Sequence, residues 1–252
     1  MDLRDFFDPY ERKARIYPAL IILFPAFIAT YCLFSDLRDL LSTVIGSVFF
    51  VGISYFLGKM SREIGKKKQE KLKMKWDGMP TLRFLRHRDE TIDDYTKARY
   101  HKYLESHVPN LKLPTQQEEL ADPQKADLIY ESAIKWLLNK TRDTQKYSLL
   151  FSENISYGFA RNFWSMKVWG IAINLLVLTA TIFLIDNRYS FDLTIVPVEV
   201  WLSVTVTIII LIFTIFFREV NVHSKAKAYA RTLLEVCDEQ EENNTTERSI
   251  SI

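Results

Sequence analysis

The sequence predicts an all-α membrane protein: four membrane-spanning helices, with a helical cytoplasmic domain inserted between spans 2 and 3. Three observations predict it. Apolar residues gather into four blocks without an internal Asp, Glu, Lys or Arg, each close to the ~20 residues a helix needs to cross the hydrocarbon core of a bilayer. Lys and Arg concentrate on one side of those blocks. The long stretch between the second and third blocks is polar, poor in glycine and patterned at helical spacing. The net charge of +2 therefore averages over unlike segments and says little about partners.

The elements follow in order. Residues 1–15 form a cytoplasmic N-terminal segment; Asp2, Arg4, Asp5 and Asp8 precede the first block and no small-residue cleavage site follows it, so no cleavable signal peptide is expected. Residues 16–58 hold spans 1 and 2, as Ile16–Phe34 and Leu40–Leu57. Pro25 predicts a kink in the first. On the second, Thr43, Ser47, Ser54 and Gly58 share a face with Gly46 beside it, a small-residue stripe suited to close helix packing. The cytoplasmic domain is 59–165. Tyr55–Lys75 continues the second span as a basic helix, which Asp77-Gly78-Met79-Pro80 ends. A helix is predicted from Thr91, with Asp94 as a capping-box variant, through Tyr95, Ala98, Tyr103 and Leu104; Pro109 and Pro114 break the chain after it. Asp122-Pro123 is the strongest start signal, an N-cap followed by proline at the first helical position. Behind it Ala126, Ile129, Tyr130, Ala133, Ile134, Trp136 and Leu137 form an apolar face. Residues 166–217 hold spans 3 and 4, as Val168–Ile185, which contains Asn174, and Val200–Phe217; residues 218–252 are expected to be a cytoplasmic helix with a disordered tail.

Orientation follows from the cations. Arg4, Arg12, Lys13 and Arg15 precede span 1, a run from Lys59 to Lys75 follows span 2, and Arg218, Lys225, Lys227 and Arg231 follow span 4. The two other connections carry only Arg38 and Arg188. Both termini are thus expected in the cytoplasm, with the chain multi-pass in its membrane. Tyr10, Tyr17, Tyr31, Trp164, Trp169 and Trp201 suit the interfaces.

No phosphate-binding glycine loop, HExxH, Gly-x-Ser-x-Gly or Cys-x-x-Cys is present, and the four histidines lack metal-site spacing, so an enzyme, a metal and a cofactor are not expected. Cys32 and Cys237 cannot form a disulfide framework. Three residue sets remain as candidates. Arg83, Arg86, Arg88, Tyr100 and Lys102, with His87, His101 and Tyr103, mix cations and aromatic faces, which suits a phosphorylated or single-stranded ligand or simply a solvated surface. The run Lys66–Lys75 is what anionic lipid beside a span attracts. On span 4, Glu199, Ser203, Thr207, Thr214 and Arg218 fall at offsets of four, four, seven and four, one polar stripe that either lines a water-filled path or packs against protein.

Before span 3 stand Thr141-Arg142 and the segment Leu149–Asn162, where Glu153, Asn154, Gly158, Arg161 and Asn162 crowd a membrane junction. This junction resembles a segment of small bacterial membrane proteins, and the layout of spans is similar to the membrane effectors of nucleotide-signalling antiphage systems of the Hailong type. That resemblance implies a homo-oligomeric, tetrameric ion channel gated by an oligonucleotide from a partner nucleotidyltransferase. Arg142, Glu153, Asn154, Arg161 and Asn162 would then couple ligand state to spans 3 and 4, with interfacial anchoring as the alternative. A non-conducting scaffold or adaptor that recruits a soluble partner is the competing expectation.

Overall fold

The computed structural model describes residues 8–33 and 44–250, apart from the side chains of 44–47, 49, 50, 54 and 239–250. Every regular element among them is helical. A π-helical turn, Glu11–Ile16, leads into α1 (Tyr17–Leu33); then come α2 (Val44–Lys75), α3 (Pro80–Arg83), α4 (Asp94–His107), α5 (Gln116–Ala121), α6 (Pro123–Lys140), α7 (Ser148–Ser165), α8 (Lys167–Tyr189), α9 (Val198–Phe216) and α10 (Glu219–Ile250). Three helical stretches among the described residues are long and apolar enough to cross a membrane: Glu11–Leu33, Lys167–Tyr189 and Val198–Phe216. The stretch expected as the second span, Leu40–Leu57, is described only from Val44 onward.

The chain divides into two compact units, residues 1–69 with 158–222 and residues 70–157 with 223–252. In the first, α1, α8 and α9 pack on one another. Their register is fixed by contacts at both ends. Ala29 and Leu33 meet Ile185, Val196 and Val200, whereas Ala19 and Ile22 meet Phe163 and Met166. So α1 and α8 run parallel and α9 runs against both. Gly170 lies where the three cross: a Cβ there would sit 3.2 Å from Ile22 Cγ1 and 3.3 Å from Thr214 Cγ2, so a hydrogen side chain is what lets the helices approach. Charged side chains tie the helix ends, because the last carbonyls of a helix have no partner within it. Lys167 Nζ donates to the Ile215 and Phe217 carbonyls at 2.6 and 3.0 Å, and Arg188 Nη1 donates to the Leu33 carbonyl at 2.6 Å.

The second unit has its own core. Tyr130, Ala133 and Leu137 of α6 are wholly buried with Phe84, Leu85, Tyr103 and Leu104, and Leu233 and Leu234 of α10 close it. Asp122 caps α6 as the sequence predicts, accepting from the Lys125 N–H at 3.0 Å. α2 ends where expected, with Asp77 and Gly78 at φ 54° and 107°, the left-handed region that glycine enters without strain.

One local expectation needs correction, and one helix was not foreseen. The N-cap of α4 is Asp93, whose carboxylate accepts from the Thr96 N–H at 2.9 Å; it stands one residue before Asp94, the first residue of the helix, and Thr91 lies outside it. A further helix, α5, follows the two chain-breaking prolines, at a stretch for which the sequence reading names no element, since Thr115 and Glu118 form a complete reciprocal capping box. α10 runs from Glu219 to Ile250, and no glycine or proline interrupts it.

Candidate functional site

Within the first unit, the turn leading into α1, the middle of α2 and the end of α7 form a polar junction held close by glycines. A Cβ on Gly58 would lie 3.1 Å from the Arg15 carbonyl oxygen, and one on Gly158 would lie 2.9 Å from both Ala14 Cβ and the Tyr10 hydroxyl. One on Gly65 would meet Asn162 Oδ1 at 2.7 Å and Arg161 Nε at 3.5 Å. Into this space fit fully buried polar groups that a water-free setting requires to be paired. Asn162 Nδ2 donates to the Ala14 carbonyl at 2.7 Å, and the Ser165 hydroxyl lies 2.6 Å from the Asn162 carbonyl and 3.2 Å from that of Ser61. Arg161 Nη1 donates to Gln69 Oε1 at 2.6 Å, while Lys68 reaches the Ser165 carbonyl at 3.0 Å and lies over the Trp164 ring at 4.8 Å.

Of the five residues read as coupling elements, Arg161 and Asn162 thus sit in this junction. Arg142, Glu153 and Asn154 belong to the second unit, Arg142 exposed and the other two half-buried. Of the small-residue stripe on α2, Gly58 makes the approach just described; Thr43 and the side chains of Ser47 and Ser54 lie outside the described residues, and for Gly46 no contact is described.

The α9 stripe splits by depth. Glu199 and Arg218 at its ends are exposed, whereas Ser203, Thr207 and Thr214 are buried inside the bundle with α1 and α8. Thr207 and Thr214 donate to the carbonyls one turn back, those of Ser203 and Ile210, both at 2.7 Å. From α8 come Thr181, bonded to the Val177 carbonyl at 2.8 Å, and Asn174, whose Nδ2 donates to the Gly170 carbonyl at 2.7 Å and reaches that of Ile22 at 3.4 Å. Ile22 adjoins Ile21, the carbonyl that loses its helical donor at Pro25. A polar seam therefore runs through an otherwise apolar bundle. It is incompletely satisfied, because Asn174 Oδ1 and Ser203 Oγ are buried without a hydrogen-bond partner.

In the second unit, the cations read as ligand contacts are partly engaged by carboxylates. Arg86, 3% exposed, makes a two-pronged pair with Asp127 at 2.8 and 2.7 Å and a further pair with Asp77 at 2.7 Å. Burial pulls its pKa down, but those carboxylates outweigh it and leave it raised. Arg83 binds Asp89 at 2.9 Å and the Trp76 carbonyl at 3.0 Å. Burial pushes Asp89 up, yet its bonds from Thr91 and the Arg83 charge hold it below the usual carboxylate range. Tyr100 is buried, its phenol pushed up to about 12 by burial. Arg88 and Lys102 keep exposed side chains. A cleft of about 430 Å³ opens beside this cluster, walled by Met74, Leu82 and Leu128 and by Lys73, Asp77 and Glu131.

Several organising residues were missed from sequence. Glu119, 2% exposed, accepts from the Tyr130 hydroxyl and the His87 N–H, both at 2.8 Å, and from the Arg88 N–H at 3.3 Å. Burial works against its charge, and these donors reverse the balance, so its pKa lies below the usual range. The signal beside it that could have been read, and was not, is the Thr115-x-x-Glu118 capping box. Gly170, Lys167 and Arg188 were findable in principle: a lone glycine within a span, and cations at its two ends. Comparison with family models, with curated proteins and with solved structures finds no match to this chain.

Proposed function

We propose that the chain is a ligand-controlled membrane effector of the bacterial inner membrane, a homotetramer that conducts ions when its helical domain is switched by a nucleotide or oligonucleotide signal. The observation that carries this reading is the polar seam of Asn174, Thr181, Ser203, Thr207 and Thr214, which includes buried atoms left without partners. A purely anchoring bundle gains nothing from such groups in a water-free interior. The seam is closed in one chain, so conduction requires α8 and α9 to part along it, and a ligand does that only if it binds the parted arrangement more tightly.

The four-span topology with both termini cytoplasmic belongs to the same proposal. Since α1 and α8 run parallel, the chain must return across the bundle between them, and the apolar half of α2 supports that role: it follows α1, and its Gly58 abuts Arg15 and Ile16 at the α1 entrance. Residues 59–165 are then the inserted cytoplasmic domain. Purified protein in liposomes tests the conducting reading. Thr207→Leu should reduce ion flux severalfold while leaving assembly intact; undiminished flux would remove the seam from the path.

The second reading is a non-conducting scaffold that recruits a soluble partner through the helical domain. It is favoured by the back-bonding of Thr181, Thr207 and Thr214 within their own helices, which is what packing alone requires. Absence of conductance under any ligand condition would select it.

A further inference from the structure

Proline withholds a backbone donor. Its nitrogen carries no hydrogen, so within a helix the carbonyl four residues earlier loses its partner and is pushed aside by the ring. Pro18 stands at the start of α1, and the carbonyl it deprives is that of Ala14, in the π-helical turn before it. That turn is wound wide, with the Tyr17 N–H donating to the Arg12 carbonyl five residues back. Ala14 is fully buried, so solvent does not replace the missing donor.

The replacement comes from α7. Asn162, itself fully buried, donates from Nδ2 to the Ala14 carbonyl at 2.7 Å, across 148 residues of sequence. Its Oδ1 accepts from Arg161 Nε at 3.3 Å. An acceptor on one side and a donor on the other fix which way the amide points. The absence of a side chain at Gly65 leaves it room, since a Cβ there would lie 2.7 Å from Asn162 Oδ1. At Pro25, the other proline of α1, the fit is looser. Asn174 gives its short bond to the Gly170 carbonyl, at 2.7 Å, and reaches the Ile22 carbonyl, beside the one that Pro25 deprives, at 3.4 Å.

We propose that Asn162 is a latch between α7 and α1: its amide stands in for the N–H that Pro18 lacks, and through this bond the start of α1 follows the end of α7. α7 is one helix whose residues up to Tyr157 belong to the second unit and whose residues from Gly158 belong to the first. A rotation or slide of α7 therefore either draws the turn along with it or strips the Ala14 carbonyl of its donor, which is costly in a water-free setting. The latch has this role whether or not the bundle conducts.

The test is a double-variant cycle on the full-length chain in maltoside detergent, read by thermal unfolding and by hydrogen exchange of the backbone amides of residues 11–17. Asn162→Leu, close in size and without a donor, should lower the unfolding temperature by several degrees and speed exchange in that turn on the order of tenfold. Pro18→Ala restores an N–H at position 18, so that amide should be protected from exchange and the Ala14 carbonyl should no longer depend on Asn162. In the Pro18→Ala background, Asn162→Leu should therefore lose most of its effect on both readouts. Asn174→Leu, whose amide shares no partner with Pro18, should cost the same in both backgrounds. Equal effects of Asn162→Leu in the two backgrounds, including a failure to fold in both, would overturn the latch, as would free exchange of the new amide at position 18. Rescue of Asn174→Leu to the same extent would mark a general stabilisation by Pro18→Ala, and would overturn it as well.

Discussion

At the residue scale, the second unit depends on buried charges whose partners are fixed in number. Arg86 is the most committed of them, with Asp127 and Asp77 on opposite sides of its guanidinium. Its removal strands those carboxylates, and since both keep some solvent access the cost should fall at about 2–4 kcal/mol, below the upper range for a fully buried pair. Thermal unfolding of Arg86→Ala should therefore show a drop of several degrees, whereas Lys102→Ala, at an exposed position, should show almost none. Acid should weaken the same unit through two groups. Burial holds the pKa of His101 below the ordinary value of 6.5, although its ring bonds the Leu85 carbonyl at 2.7 Å. The unfolded chain therefore takes up that proton first, so stability declines as pH falls below the ordinary value and the loss is complete once the folded value is passed. Glu119 acts lower on the scale: its depressed pKa contributes stability that is present above the ordinary glutamate value and is lost as pH falls through the folded one. His101→Gln should flatten the unfolding temperature between about pH 7 and 5 and leave the steeper decline at lower pH; an unaltered profile would show that another group carries the upper limb.

At the scale of elements, helix positions were legible where a local signal was strong. Asp122-Pro123 announced α6, and Asp77-Gly78 announced the end of α2, because capping and left-handed turns depend on neighbours in sequence. The depth of the α9 stripe was not legible, since spacing gives a face but not what covers it, and α1 and α8 cover this one. Nor was the engagement of Arg86, whose partner Asp127 lies 41 residues away. Glycine effects separate along the same line. Gly158→Ala should cost about 1–3 kcal/mol, because Ala14 Cβ and the Tyr10 hydroxyl already occupy the space. Gly52→Ala, with open space around it, should be neutral or stabilising. Detergent-phase unfolding of the two variants side by side checks the contrast. Thr115→Ala, which removes one half of the α5 capping box, should cost about 1 kcal/mol by the same measurement.

At the scale of the whole molecule, three apolar helices predict a chain that sediments with membranes and stays there in alkaline carbonate; release into the supernatant would contradict membrane insertion. The apolar blocks made this scale the most legible, because a bilayer imposes a length and a composition that composition alone can reveal. What it left hidden is how α8 is held. Lys167 at one end grips the terminal carbonyls of α9, and Arg188 at the other grips that of α1. From one clamp to the other α8 rises roughly 32 Å, close to the ~30 Å thickness of a typical hydrocarbon core. It is a strut of set length bolted to both neighbours, so a thinner bilayer cannot be met by letting one helix slip along another; the trio must lean over together, and membrane thickness becomes a quantity that this bundle reads as tilt.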